Sequence, residues 1–200
     1  MKIESKTLTA DLALRTQRMI DEVNRVYVPL PEERLNRKPG PEAWSVLECL
    51  EHLNLYGDFY LPEIEKALRG AEGKPDPVFR SGWLGNYFAR SMQPKNGKIN
   101  KMKTFADKNP AGSRLTKEVL ARFIDRQQQM LILLRQAGTA DLTRIKTAVS
   151  ISKWIRLRLG DTLRFTVYHN ERHLAQAQRA LKATIADPAP AAGPVSLTVK

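Results

Sequence analysis

A single cysteine, Cys49, stands in 200 residues, so the chain cannot close an internal disulfide. A scaffold built on disulfides is excluded, and a reducing, cytoplasmic setting is the expectation. Long apolar runs are missing as well, and none approaches the ~20 residues that a membrane span needs. The opening stretch "MKIESKTLTADLAL" lacks a basic segment followed by an apolar core, so no secretory signal is expected. Aromatic residues are few, at 7%. Acidic residues are scarce in the middle of the chain. From Arg90 to Arg164 there are 17 lysines and arginines against 5 acidic residues, which accounts for the whole net charge of +12.

What remains is ordinary for a globular protein: 42% hydrophobic and 27% charged residues. A chain of this length suits one domain that buries roughly 70% of its unfolded surface. The central positive charge can attract nucleic acid, an acidic partner or an anionic small molecule, or it can be a solvated face.

Apolar positions at helical spacing predict four long amphipathic helices. The first covers 8–26, with Leu8, Leu12, Met19, Ile20 and Val23 on one face. A proline-rich connector follows, with a short turn around Glu32 to Leu35. The second helix starts at a capping box, Ser45 with Glu48, in which each side chain satisfies a free backbone N–H. It runs toward Gly70, with Leu47, Leu50, Leu55, Phe59 and Ile64 as apolar positions. Pro62 is expected to kink or break it near Tyr60.

Residues 71–115 are the least regular. "GWLGNYFARSM" can form a short helix, and the basic stretch around 95–108 reads as a long mobile loop. Thr116 can cap a third helix, whose stripe is Val119, Leu120, Phe123, Ile124, Met130, Leu131 and Leu134, ending at Gly138. "TADLTRIKTAVSISKWIRLRL" is a connector with one short helical or extended stretch. A fourth helix begins near Asp161. The expected fold is therefore all-α: a four-helix bundle with long connections. The domain is set at 1–183, and the Pro/Ala/Gly-rich residues 184–200 form a disordered tail.

His169 and His173 lie four residues apart on the fourth helix, so both present to one point. Their stripe also holds Phe165, Thr166, Gln176, Ala177 and Ala180, while Arg172 and Arg179 fall off it. The third histidine, His52, shares the core face of the second helix, with Glu48 and Tyr56 one turn to either side. Metal sites in bundles are commonly built from facing helices. Surface decoration or separate core hydrogen bonds would fit the same spacing, and spacing leaves both open. The zinc-protease pattern H-E-x-x-H is absent: Asn170 follows His169, and Glu171 is expected to point away.

The segments "WSVLECLEHL" and "YHNERHLAQAQR", in this order, resemble the DinB/YfiT-like superfamily of bacterial metal-binding four-helix bundles. The resemblance covers about residues 8–183. It implies a divalent metal held by His52, His169 and His173, with open positions taken by water. It also implies thiol-dependent transferase or isomerase activity with bacillithiol, mycothiol or a glutathione-like cosubstrate, and a homodimer.

Three protein nitrogens leave a coordination position open, as catalytic metals do. Zinc or nickel leads, with iron and manganese also suited to imidazole. Lys98, Lys101 and Lys103 are candidates for holding a cosubstrate's carboxylates. Around the ligands, Glu48 can orient an imidazole, although capping already explains it. Cys49 is either a ligand or nucleophile or a small buried hydrophobe. Tyr56 and Tyr168 read as packing residues, Trp44 as part of a hydrophobic staple, and Gln176 as a neighbour of the metal's surroundings. Three functions follow: a metal-dependent thiol transferase or hydrolase, a non-catalytic metal-binding bundle in stress response, and a nucleic-acid-associated protein. The last lacks both a recognisable motif and aromatics interleaved with its basic residues.

Overall fold

The computed structural model describes residues 1–70, 76–93 and 104–186. Among the described residues, six α-helices and four short strands follow one another: β1 (Lys2–Glu4), α1 (Ser5–Glu22), α2 (Glu32–Asn36), α3 (Val46–Arg69), β2 (Val78–Arg80), α4 (Trp83–Met92), α5 (Glu118–Ala137), β3 (Lys146–Val149), β4 (Ser152–Arg158) and α6 (Leu159–Ala186). Helices α1, α3, α5 and α6 form the expected bundle. Helix α1 packs against α5 and α6, and α3 packs against the same two. Among the described residues, no helix is long and apolar enough to cross a membrane.

The periodic positions expected of the first helix all enter the core: Leu8, Leu12, Met19 and Ile20 of α1 and Val23 just beyond it are buried. A π-helical segment, Val23–Tyr27, widens its last turn and buries Tyr27. Helix α2 covers the expected turn, with Leu35 buried. In α5, Val119, Leu120, Phe123, Met130 and Leu134 are buried, while Ile124 and Leu131 reach only the edge of the core. The Thr116 hydroxyl accepts from the Glu118 backbone N–H at 3.4 Å, just outside the first helical turn.

Three expectations need correction, and one side chain lies deeper than its helix phase suggests. Helix α3 is continuous from Val46 to Arg69 and is not broken at Pro62. Pro62 is exposed, and so is Asp58, the residue whose carbonyl loses its helical donor. Arg172, which falls off the histidine stripe of α6, is nevertheless only 8% exposed. The cause is that α6 is covered on several sides at once, by α1, α3 and α4. Leu55 and Phe59 of α3 are only half-buried, and Leu53, Tyr56 and Tyr60 fill the core in their place. The ambiguous stretch before α6 is a β-hairpin, with Lys146 opposite Arg158, Thr147 opposite Leu157 and a bulge near Val149. A second small sheet pairs β1 with β2 antiparallel. Of the expected tail 184–200, residues 184–186 continue α6, while 187–200 and the basic residues 94–103, including Lys98, Lys101 and Lys103, lie outside the described residues.

A buried polar knot fastens α4 to α6. Asp161 pairs with Arg164 at 3.1 Å, takes the Gly82 backbone N–H at 2.8 Å and accepts from Ser81. Arg164 in turn donates to Asn86 at 3.1 Å. Gly85 permits this approach, since a Cβ there would lie 2.4 Å from Asp161 Oδ2.

Candidate metal centre

The capping box that opens α3 is present in full. The Ser45 hydroxyl accepts from the Glu48 N–H at 3.2 Å, and the Glu48 carboxylate accepts from the Ser45 N–H at 2.8 Å. Counting from that start places His52 on the second turn of α3, on its buried face and 2% exposed. Helix α6 packs on α3 and carries His169 and His173 one turn apart. The three side chains meet: one ligand nitrogen from each lies within 4.8 Å of the others. The Nε2 atoms of His52 and His169 are 3.3 Å apart.

Two of the imidazoles are held from behind. His52 donates from Nδ1 to the Lys108 carbonyl at 2.6 Å. His173 donates from Nδ1 to the Gln176 carbonyl oxygen at 3.0 Å. A proton committed to Nδ1 leaves the Nε2 lone pair free, which is the tautomer a metal ligand needs. All three rings resist protonation, and burial is the main cause. It pushes His52 down to about 4, and the nearby Lys108 charge adds to that shift. His173 is pushed down to about 3 by burial and by His52. His169 falls well below its ordinary value, through burial and the other two histidines.

These residues fit a divalent cation. Two nitrogens about 2.1 Å from one ion, in tetrahedral or octahedral geometry, lie about 3.0–3.4 Å apart, which spans the His52–His169 separation. Neutral imidazole donors suit zinc, nickel, iron or manganese alike. Among the described residues, no carboxylate or thiol joins the group.

Aromatic rings enclose the imidazoles. Trp44 lies 4.8 Å from His52 and 5.8 Å from His173 between ring centres. Tyr56 lies 4.5 Å from His169, and Phe165 stacks nearly parallel on it at 5.6 Å. Trp44 was expected only to staple the helix start. Its place just before the cap was the available signal for proximity, because His52 is two turns into the same helix. The Lys108 carbonyl had no such signal, since a backbone acceptor 56 residues away carries no sequence mark.

The remaining candidates take separate places. Glu48 touches no imidazole; beyond the cap it pairs with Lys38 at 2.8 Å and accepts from the Gly112 N–H at 3.1 Å. Cys49 is fully buried in the apolar core, where burial pushes its thiol up to about 12. Tyr56 is likewise raised to about 12 by burial and stays protonated at neutral pH. Gln176 adjoins the site through His173. Glu171 points away, its carboxylate 3.1 Å from Arg15.

No curated protein and no solved structure matches the chain. A family model described as the DinB superfamily matches residues 15–177, a span that includes the capping box, all three histidines, the whole of α3 and most of α6. With a four-helix bundle bringing those histidines together, this protein belongs to the DinB superfamily.

Proposed function

We propose that the protein is a divalent-metal-dependent enzyme that transfers or rearranges groups on a thiol cosubstrate, with His52, His169 and His173 as the metal ligands. One observation carries the reading: three neutral imidazole nitrogens converge within 4.8 Å. Crowding three imidazoles together, two of them buried and the third partly so, is unfavourable without a shared partner, and a common cation supplies that partner. When bound, such an ion lowers the pKa of a water or thiol at an open coordination position.

The protein's own residues favour a thiol brought in from outside. Cys49 is buried in the core and stays a thiol at neutral pH, so it is no nucleophile for this site. Glu48 and Glu171 are tied to Lys38 and Arg15, so neither stands at the histidines as a general base. The rings of Trp44, Tyr56 and Phe165 offer apolar walls for an electrophilic substrate. The same geometry suits hydrolysis through activated water, which is the neighbouring reaction.

Metal analysis of the purified protein beside a His169→Ala variant tests the site. About one equivalent in the wild type and near none in the variant is the expected result. The zinc- or nickel-loaded protein is then screened with glutathione, bacillithiol and mycothiol against electrophilic acceptors. Turnover that is lost in His169→Ala supports the enzyme. Metal binding without turnover favours the second reading, a non-catalytic metal-binding bundle acting in stress response.

A further inference from the structure

Glu48 is held more firmly than a helix cap requires. A capping box uses one carboxylate oxygen, and here Oε2 accepts from the Ser45 N–H. Its other oxygen, Oε1, accepts from the Gly112 N–H at 3.1 Å and faces Lys38 Nζ at 2.8 Å. One turn further along the same face, His52 donates to the carbonyl of Lys108. Residues 108–112 therefore form a strap fastened to two successive turns of α3, giving an acceptor at one end and a donor at the other.

The strap is short and stiff. Asn109 Oδ1 accepts from the Ala111 N–H at 3.2 Å, and the Ser113 N–H donates to the Pro110 carbonyl at 3.0 Å. Pro110 is buried and fixes its own backbone. Gly112 adopts φ +81°, a left-handed conformation that glycine takes without steric cost. That conformation belongs to the turn whose N–H meets Glu48. Without the strap, His52 Nδ1 loses its acceptor, and the ring is free to carry its proton on Nε2 instead.

We propose that Glu48 is a positioning residue for His52: by holding Gly112 it keeps the Lys108 carbonyl on Nδ1 and commits Nε2 to the histidine group. The consequence for metal affinity rests on the metal-site reading above; the control of the tautomer does not.

Glu48→Gln separates the two duties of this side chain. Glutamine still caps the helix through its carbonyl oxygen. Its amide nitrogen then confronts the Gly112 N–H and the Lys38 ammonium, which are all donors. Gly112→Ala attacks the same contact from the loop, where a Cβ meets nothing within 4 Å and only the positive φ is penalised. Ser45→Ala is the structural control, removing the hydroxyl cap but not the Glu48–Gly112 bond.

Nitrogen-15 NMR of the metal-free protein at pH 7.5 reads the tautomer, and zinc titration against a chelator reads affinity. Wild type and Ser45→Ala should show His52 protonated on Nδ1, with the control melting at a lower temperature. Glu48→Gln and Gly112→Ala should show a mixture of tautomers and zinc affinity weakened about tenfold or more. A shifted tautomer in a protein whose wild type binds no zinc supports the strap and removes the metal reading. If Glu48→Gln does not fold, Gly112→Ala decides alone. An unchanged His52 tautomer in the folded variants overturns the proposal.

Discussion

His52 and His169 are separated by 117 positions in the chain, yet their Nε2 atoms stand 3.3 Å apart. Two lone pairs so close repel unless a proton or a cation lies between them. A His169→Ala variant should therefore lose bound metal while keeping the bundle, because alanine is a good helix former within α6. Elemental analysis and far-ultraviolet circular dichroism check the two halves of that expectation. Retention of a full equivalent of metal by the variant would argue against a shared ion.

Gln176 is the only acceptor that the described residues give to His173 Nδ1. Gln176→Ala keeps the helix but frees the ring to turn or change tautomer. Zinc affinity is expected to fall about 10- to 100-fold, as it does when such supporting partners are removed elsewhere. Competition with a chelator measures this, and an unaltered affinity would show that Gln176 does not orient the ring.

The metal-free protein should weaken in mild acid. Each of the three histidines has a folded-state pKa below the ordinary 6.5, with burial the leading cause. For His52 the window runs from 6.5 down to about 4, and for His173 down to about 3. Inside it the unfolded chain binds protons that the folded chain does not. Stability therefore rises with pH, and is lost as pH falls below 6.5. The loss is up to about 1.4 kcal/mol per histidine for each pH unit. Urea midpoints at pH 7.5, 6.0 and 5.0 should step downward, and a flat series would contradict the buried, neutral cluster.

The Cys49 thiol is expected to be inert in the native state. It is fully buried, with a pKa pushed up to about 12, so little thiolate forms and no reagent reaches it. Reaction with a thiol-specific disulfide reagent should follow global unfolding in urea. A Cys49→Ala variant should keep its metal stoichiometry; loss of metal would return the sulfur to the site.

Gly85→Ala should destabilise the joint between α4 and α6. The added Cβ falls 2.4 Å from Asp161 Oδ2, inside the knot with Ser81 and Arg164. Overpacking of this kind costs about 1–3 kcal/mol. Calorimetry should record a lower Tm by about 2–4 °C for each kcal/mol. An unchanged Tm would mean that α4 docks by other contacts.

Local patterns spoke clearly wherever the deciding physics was local. The Ser45–Glu48 capping box announced the start of α3, and the four-residue spacing of His169 and His173 announced a shared face on α6. The hairpin did not announce itself. Its turn has no Asn-Gly or Asp-Gly signal, and among the described side chains of β4 only Leu157 is buried. Pro62 misled for a similar reason: a proline's missing N–H is tolerated when the orphaned carbonyl meets solvent, and exposure is a tertiary property.

Helix periodicity, the cap and the histidine spacing are therefore properties of the chain alone, because each depends on residues within a turn or two of one another. The distance from His52 to the later pair, the carbonyl of Lys108 behind its ring and the burial of Arg172 belong to the folded bundle. Those depend on which helix faces meet, and that follows from packing summed over the whole core rather than from any short stretch of sequence.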